Sequence, residues 1–378
     1  MKHKLLKIFI LSIFFSIVFF VFEERNCTAA EGKTIYTAAT GSNSDDSGNG
    51  TAASPYNLFD TALKNAKDGD TICILSPMGF LNASDNSPYI INKAVKIRGN
   101  GNVFHVRAAG IVLAADVTFE DVVLSFGNRY HDAIFANGYT LTLKNVICEE
   151  GARRVDIFGG GLYMNGRTVA PSGSNGKIIM NNGGQNFGNI YAGSMNGDFS
   201  GDIDIELSNL NYSSEMTVNV SGADETYVNV DDFFNLEEPA PPTVNPNHSI
   251  SGNVNISMSD TNIKYINGVS LSASGTSNLI IDTNGKYNGA LEVDSVEAIS
   301  VKGGGVFAPV KLTGGTSVTL SGGSTADLSA ISNPVVSKLM SEGNNNKLVL
   351  GRTQYLVISE TLQGKFIFET ESGYNWHS

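Results

Sequence analysis

The stretch Val95–Asn100 reads VKIRGN. It returns as Val117–Val122, VTFEDV, and again as Leu141–Val146, LTLKNV. The first residues of these segments stand 22 and 24 positions apart. A second series begins at Val254 (VNISMS), Leu279 (LIIDTN), Ile299 (ISVKGG) and Val318 (VTLSGG), with steps of 25, 20 and 19. Each segment alternates apolar and polar residues and then meets Asn, Asp or Gly. Period two places the apolar side chains on one face of a strand. So short a strand cannot bury that face alone, and stacked copies bury it as one continuous core. Asn, Asp and Gly suit the bends, because a sharp corner needs the left-handed backbone that they adopt most readily. The expected fold is an all-β parallel solenoid whose coils run over residues 76–350. A leucine-rich repeat would need Leu at fixed offsets with a recurring Asn, and that pattern is absent. A sandwich would need hairpin signals every 8–12 residues or so; only ANGYTL (136–141) and INGVSL (266–271) read as hairpin turns.

Composition agrees with this class. Of 378 residues, 41 are Gly and only 16% are charged, while 41% are hydrophobic, which is enough for a sizeable core. The net charge of −12 argues against nucleic acid as a partner, because phosphate binding needs basic surface. Lys2, Lys4 and Lys7 precede a run of fifteen residues, Ile8 to Phe22, that is apolar except for Ser12 and Ser16. The run is short of the ~20 residues of a membrane span, and Thr28, Ala29 and Ala30 follow it. Residues 1–30 therefore read as a secretory signal peptide cleaved after Ala30, with an uncleaved anchor as the alternative. The expected location is extracellular or on the cell surface, with no membrane span after cleavage. Cys73 and Cys148 then remain, both in apolar strand patterns, and read as buried thiols.

Leu58, Phe59, Ala62, Leu63 and Ala66 form a helical stripe after Pro55. Asp60 lies at its start and Lys64 and Lys67 near its end, as the helix dipole prefers, and Asp68-Gly69-Asp70 is expected to stop it. This helix falls within a leading unit, residues 31–75, and its expected role is to cap the first coil, since an open solenoid end exposes strand edges. Residues 236–247 hold Pro239, Pro241, Pro242 and Pro246, which exclude a central strand and read as a loop projecting from a coil. Residues 351–378 read as closing strands, either of a finished monomer or of part of a longer chain.

Tyr36, Gly41, Ser42, Gly50, Thr51, Ser54, Pro55, Tyr56, Ala62, Leu63, Ala66, Gly69, Asp70, Thr71 and Ile72 carry a resemblance. Residues 34–75 resemble the N-terminal entry of right-handed parallel β-helix proteins of the pectin-lyase-like superfamily. The resemblance implies a right-handed β-helix with an N-terminal amphipathic capping helix. It does not imply a reaction, because the superfamily includes polysaccharide lyases, glycoside hydrolases and non-catalytic surface proteins. The Gly-rich run 187–204 (FGNIYAGSMNGDFSGDID) also resembles coils of bacterial surface adhesins.

A lyase of this fold needs carboxylates or Ca²⁺ to neutralise the uronate, and a Lys, Arg or His to take the α-proton. Arg129, His131 and Asp132 form one candidate cluster, and Arg153, Arg154 and Asp156 a second about one coil later. Asp202, Asp204 and Glu206 alternate along one strand and are the candidate metal ligands, with the alternative that they are simply its solvent face. Phe187 and Tyr191 read as core aromatics rather than sugar platforms. No Walker, Rossmann, HExxH or GxSxG motif occurs. Charge is sparse in the late coils, and no base stands beside several carboxylates. The expected function is therefore non-catalytic: adhesin-like binding of a glycan or of a host or cell-wall polymer, with no cofactor. The alternative is a Ca²⁺-dependent polysaccharide lyase or a glycosidase.

Overall fold

The computed structural model describes residues 32–39, 48–79, 88–106, 110–126, 133–150, 154–164, 166–210, 216–224, 242–245, 247–261, 263–268, 275–282, 291–351 and 355–370. These residues form a right-handed parallel β-solenoid of about ten turns. Residues 1–31, most of the Pro-rich stretch and residues 371–378 lie outside them.

One ladder runs the length of the molecule. In order it joins Thr34–Thr37, Thr71–Ile74, Val95–Arg98, Val117–Glu120, Thr140–Cys148, Gly176–Gly183, Ile203–Leu210, Val254–Ser259, Ser277–Asp282, Ala298–Lys302, Ser317–Ser321, Val335–Glu342 and Val357–Gln363. Every pairing in it is parallel. A second sheet of nine strands covers another face, from Tyr89–Ile91 to Lys311–Thr313. Among the described residues the third face is strand-lined near the two ends. Met78–Gly79, Val103–Val106 and Val123–Phe126 line it early, and a four-stranded sheet from Val306–Phe307 to Ile367–Thr370 lines it late.

The alternation read from the sequence is the alternation of burial. Val95 and Ile97, Val117 and Phe119, and Leu141 and Leu143 point into the core, and their polar neighbours point out. Register joins Val95 to Val117 and Val117 to Leu141. In the later series Leu279 pairs with Ile256, two residues beyond the Val254 at which that segment begins. The ladder passes directly from Ile203–Leu210 to Val254–Ser259, so one solenoid runs on both sides of the Pro-rich stretch.

A left-handed residue bends the chain within the last few residues of the main strand, or just after it, in coil after coil. It is Asn100 (φ 52°), Asp121 (54°), Asn145 (53°), Asn182 (51°), Asn209 (51°) and Asp260 (47°), and then Gly303 (60°), Gly322 (66°), Gly343 (87°) and Gly364 (97°). This conformation costs other L-residues about 1–2 kcal/mol, so the corner itself selects Asn, Asp and Gly. Asn209 is exposed, which isolates the backbone effect. Asn209→Val should lower stability by about 1–2 kcal/mol in urea denaturation, and Asn209→Gly should stay within about 0.5 kcal/mol of the parent. Equal losses in both would refute a conformational origin for the column. Asn137 (φ 54°) and Gly138 (φ 77°) form another such corner. It turns the chain from the second sheet into the main ladder, so ANGYTL is a bend between two parallel sheets and not a hairpin.

The corner before the main strand is tied by side chains. Asp116 Oδ1 accepts the N–H of Thr140 at 2.8 Å, Asn175 Oδ1 that of Asp202 at 3.0 Å, Asp202 Oδ1 that of Asn253 at 2.7 Å, and Asn253 Oδ1 that of Thr276 at 3.1 Å. Each links one coil to the next, satisfying backbone donors that the bend removes from the ladder.

The helix spans Phe59–Asn65, with Leu58 at its N-cap, and buries Phe59, Ala62 and Leu63. The Phe59 ring packs on Phe104 at 4.7 Å, and Tyr89 donates its hydroxyl to Asp60 Oδ1 at 2.5 Å. The helix ends before Asp68, because Ala66 is already extended (ψ 155°). Lys93 Nζ donates to the carbonyls of Leu63 (2.9 Å), Lys64 (2.6 Å) and Ala66 (2.6 Å). One cation thus satisfies carbonyls at the negative end of the helix and pins it over the first strand of the second sheet.

Outward excursions between coils build a second small core. The isolated parallel bridges Leu162 to Met195 and Met195 to Ala223 stack them, and two antiparallel pairs project from them, Tyr163–Met164 with Arg167–Thr168 and Gly222–Asp224 with Thr243–Asn245. Val112, Phe135, Phe158 and Tyr191 face this layer, while Ile111, Ile134, Ile157 and Ile190 on the same strands face the main core. Phe187 and Tyr191 are both buried, and so are Cys73 and Cys148, neither of which is in a disulfide.

Candidate functional site

The strands that decide the fold also assemble the main charge cluster. With Val95, Ile97, Val117, Phe119, Leu141 and Leu143 inward, the alternate positions must face out. Register then sets Arg98 beside Glu120 and Glu120 beside Lys144. Arg98 approaches Glu120 Oε2 through Nη2 (2.8 Å) and Nε (3.1 Å). Lys144 Nζ reaches Glu120 Oε1 at 2.7 Å, and Lys96 Nζ lies 3.5 Å from Oε2. The Glu120 side chain is only 8% exposed, whereas Lys96 is 38% and Lys144 55% exposed. Burial alone would raise the Glu120 pKa. Hydrogen bonds from Lys144 and Arg98, with the charges of Arg98 and Lys96, outweigh burial and hold it down at about 2. Three cations and one carboxylate give the cluster a formal charge of +2, in a chain whose total is −12.

A groove of about 510 Å³ adjoins the cluster at the left-handed corner. Arg98, Asn100, Asp121 and Asn145 supply polar groups, and Val123 and Ile147 supply apolar surface. Asn145 Nδ2 donates to Asp121 Oδ1 at 2.8 Å, so one rim is fixed across two coils. The arrangement offers exposed ammonium groups, amides and an apolar floor on a rigid ladder, which suits recognition of an extended anionic chain.

The residues singled out from local sequence have other fates. Arg129, His131, Asp132 and Arg153 lie outside the described residues. Arg154 stands exposed, just before Val155–Phe158. Asp156 is 8% exposed, and its Oδ1 accepts the Asn189 N–H at 2.6 Å, so it ties two coils of the second sheet together. Asp202 holds the Asn253 N–H, Asp204 Oδ1 accepts Asn255 Nδ2 at 2.9 Å, and Glu206 pairs with Lys177 at 2.6 Å. Each of these three carboxylates thus binds an adjacent coil. Among the described residues no group of three or more His, Cys, Asp and Glu is placed to hold a metal ion.

Two further polar groups are engaged within the fold. Asp294 accepts from Thr313, from Ser295 Oγ (2.8 Å) and from Tyr265 (3.3 Å). The Thr313 hydrogen bond, with those from Ser295 and Tyr265 and the charge of Lys311, lowers its pKa against a smaller effect of burial. Asp224 holds His248 Nε2 at 2.5 Å and Asn245 Nδ2 at 2.7 Å, closing the hairpin that flanks the Pro-rich stretch.

Lys96, Arg98, Glu120 and Lys144 form no cluster in the local sequence, although their signal stands in the opening segments. Written beneath one another, VKIR, VTFE and LTLK put Arg98, Glu120 and Lys144 in one column. No protein-family model, curated protein or solved structure matches the chain.

Proposed function

We propose that this chain is an exported bacterial protein of pectin-lyase-like type that works at the cell surface, or beyond it, as a non-catalytic, adhesin-like binder of an acidic polysaccharide. A glycan of the host or of a cell wall supplies such a polymer. The observation that carries the reading is the +2 cluster of Lys96, Arg98, Glu120 and Lys144 beside a polar-rimmed groove. An acidic protein repels polyanions over most of its surface, so a local cationic site sets where and in which orientation one can dock. The stacked coils supply the rigidity that an extended ligand rewards. The leader, residues 1–30, supports export.

Binding of polygalacturonate tests the proposal, with a neutral glucan as control. The exported chain should bind the former and ignore the latter, with affinity falling as salt rises. Lys96→Ala with Lys144→Ala removes two charged contacts and leaves the Arg98–Glu120 pair. It should weaken binding about tenfold or more. Binding that survives this change would move the site elsewhere. The Ca²⁺-dependent lyase and glycosidase alternatives predict turnover. Steady appearance of ultraviolet-absorbing unsaturated product, or of new reducing ends, would overturn the non-catalytic reading.

A further inference from the structure

We propose, resting on the polysaccharide reading above, that the groove beside Lys96, Arg98, Glu120 and Lys144 selects an acidic polysaccharide whose hydroxyls carry acetyl esters. A second column of side chains, which the charge cluster does not use, points to this form of the polymer. Val123 pairs with Val103 on one side and with Ile147 on the other. Phe104, Leu124 and Cys148, next to them on the same strands, are buried in the core. Val103, Val123 and Ile147 therefore face out, and all three are half-buried. Coils in such a stack lie about 4.8 Å apart, so three of them present an aliphatic strip about 10 Å long.

The strip and the cations lie on either side of one corner. Glu120 and Lys144 belong to the main ladder, Asp121 and Asn145 then bend the chain with left-handed backbone, and Val123 and Ile147 follow two residues later. The groove of about 510 Å³ takes in Arg98 from one side of the corner and Val123 and Ile147 from the other. A side chain added at Gly101 would meet no atom within 4 Å, so the groove opens to solvent at the bend. Amides stand between the charged and the apolar side. Asn100 Nδ2 donates to Cys73 Sγ at 3.2 Å, and Asn145 Nδ2 to Asp121 Oδ1 at 2.8 Å. An amide nitrogen carries two N–H donors, so each has a second to offer a ligand carbonyl.

These three features together fix the chemistry of the occupant. A plain polyuronate satisfies the cations but sets hydroxyls against Val123 and Ile147, where they lose water and gain no partner. A methyl ester of the carboxyl group would suit the strip but removes the charge that Lys96 and Lys144 attract. An acetyl ester on a sugar hydroxyl keeps the carboxylate. It lays a methyl group on the strip and brings a carbonyl oxygen to Asn100 or Asn145.

Titration calorimetry of the full chain tests the proposal with polygalacturonate, its O-acetylated form and its methyl ester, all of one length. Acetylation should tighten binding about fourfold or more, as burial of one methyl group does, and methyl esterification should weaken it. Val123→Thr with Ile147→Thr keeps branched side chains on the strands. It should bring the ratio of the two affinities, acetylated over plain, to about one, whatever its effect on each. If that variant unfolds, the methyl resonances of Val123 and Ile147 in the parent decide, with shifts expected from the acetylated polymer and not from the plain one. Equal or weaker binding of the acetylated polymer overturns the proposal and leaves polyanion binding standing. A preference that survives in the folded double variant, or methyl resonances that respond alike to both polymers, overturns it in the same way. Poly-glutamate bound as tightly as the acetylated polymer would put an acidic peptide in the groove and overturn it too. Binding of none of these polymers, or tightening by the methyl ester, would remove the polyanion reading and this proposal together.

Discussion

Phe158→Ala should destabilise the outer layer by about 3–5 kcal/mol, as deletion of a fully buried aromatic side chain does. Phe158 is 0% exposed, and its ring stacks on Phe135 at 5.0 Å on one side and on Tyr191 at 4.6 Å on the other. Both stacking contacts, each worth about 0.5–1.5 kcal/mol beyond burial, go with the ring. The direction in which Phe158 points sets where the damage falls. Ile157 beside it faces the main core, whereas Phe158 faces the layer built from Leu162, Met195 and Ala223. Hydrogen exchange should therefore show early opening of the excursions around 160–170, 193–200 and 221–224. Protection of the main ladder from Val95 to Glu120 should be kept at the same denaturant concentration. A uniform loss of protection along the whole solenoid would show that the outer layer is not a separate unit. Tyr191 also donates its hydroxyl to the Pro242 carbonyl at 3.2 Å, so the same change should loosen the closing hairpin.

Two features of this molecule account for what could be read in advance and what could not. Coils without excursions were legible. Val95, Val117 and Leu141 are one short step apart, and the alternation and the corner residue repeat within each step. The capping helix was legible for a similar reason, since its stripe of Phe59, Ala62 and Leu63 is local; its end was not, because Lys93 satisfies its last carbonyls from another coil. The outer layer was hidden by chain length. Leu141 pairs with Ile178, Ile178 with Ile205 and Ile205 with Ile256, steps of 37, 27 and 51 residues that break the period. The strands beneath that layer, such as Ala133–Phe135, are three to five residues long and largely apolar on both faces, too short for a period to register. The charge column of Arg98, Glu120 and Lys144 stays hidden to a reading that starts from charged runs such as 129–132 and 153–156. Runs such as residues 129–132 are close in sequence, but a solenoid brings together residues one coil apart. Arg98, Glu120 and Lys144 are neighbours because the ladder stacks them, and only a reading by columns reveals it.

Glu120→Gln should have two effects of opposite sign. The first is on stability. The folded-state pKa of Glu120 is lowered to about 2 from its ordinary value of 4.5. The charged carboxylate therefore contributes stability that is fully present above the ordinary value and is lost as pH falls through the folded one. Screening of the exposed Lys96 and Lys144 reduces the contribution, while loss of their shared anion leaves three cations repelling one another. A net cost of about 2–3 kcal/mol at neutral pH follows. In urea denaturation the gap between parent and Glu120→Gln should be widest above about pH 5 and close toward pH 2. A gap that stays constant over that range would mean that the carboxylate charge is not what stabilises the cluster. The second effect is on binding. With the fold intact under native conditions, the cluster passes from a formal charge of +2 to +3, and Lys96 and Lys144 lose the anion that holds them. Affinity for polygalacturonate should then rise, and rise most at low salt. A cluster that served stability alone would lose stability with no gain in affinity, so the sign of the second effect separates a docking site from an inter-coil clamp.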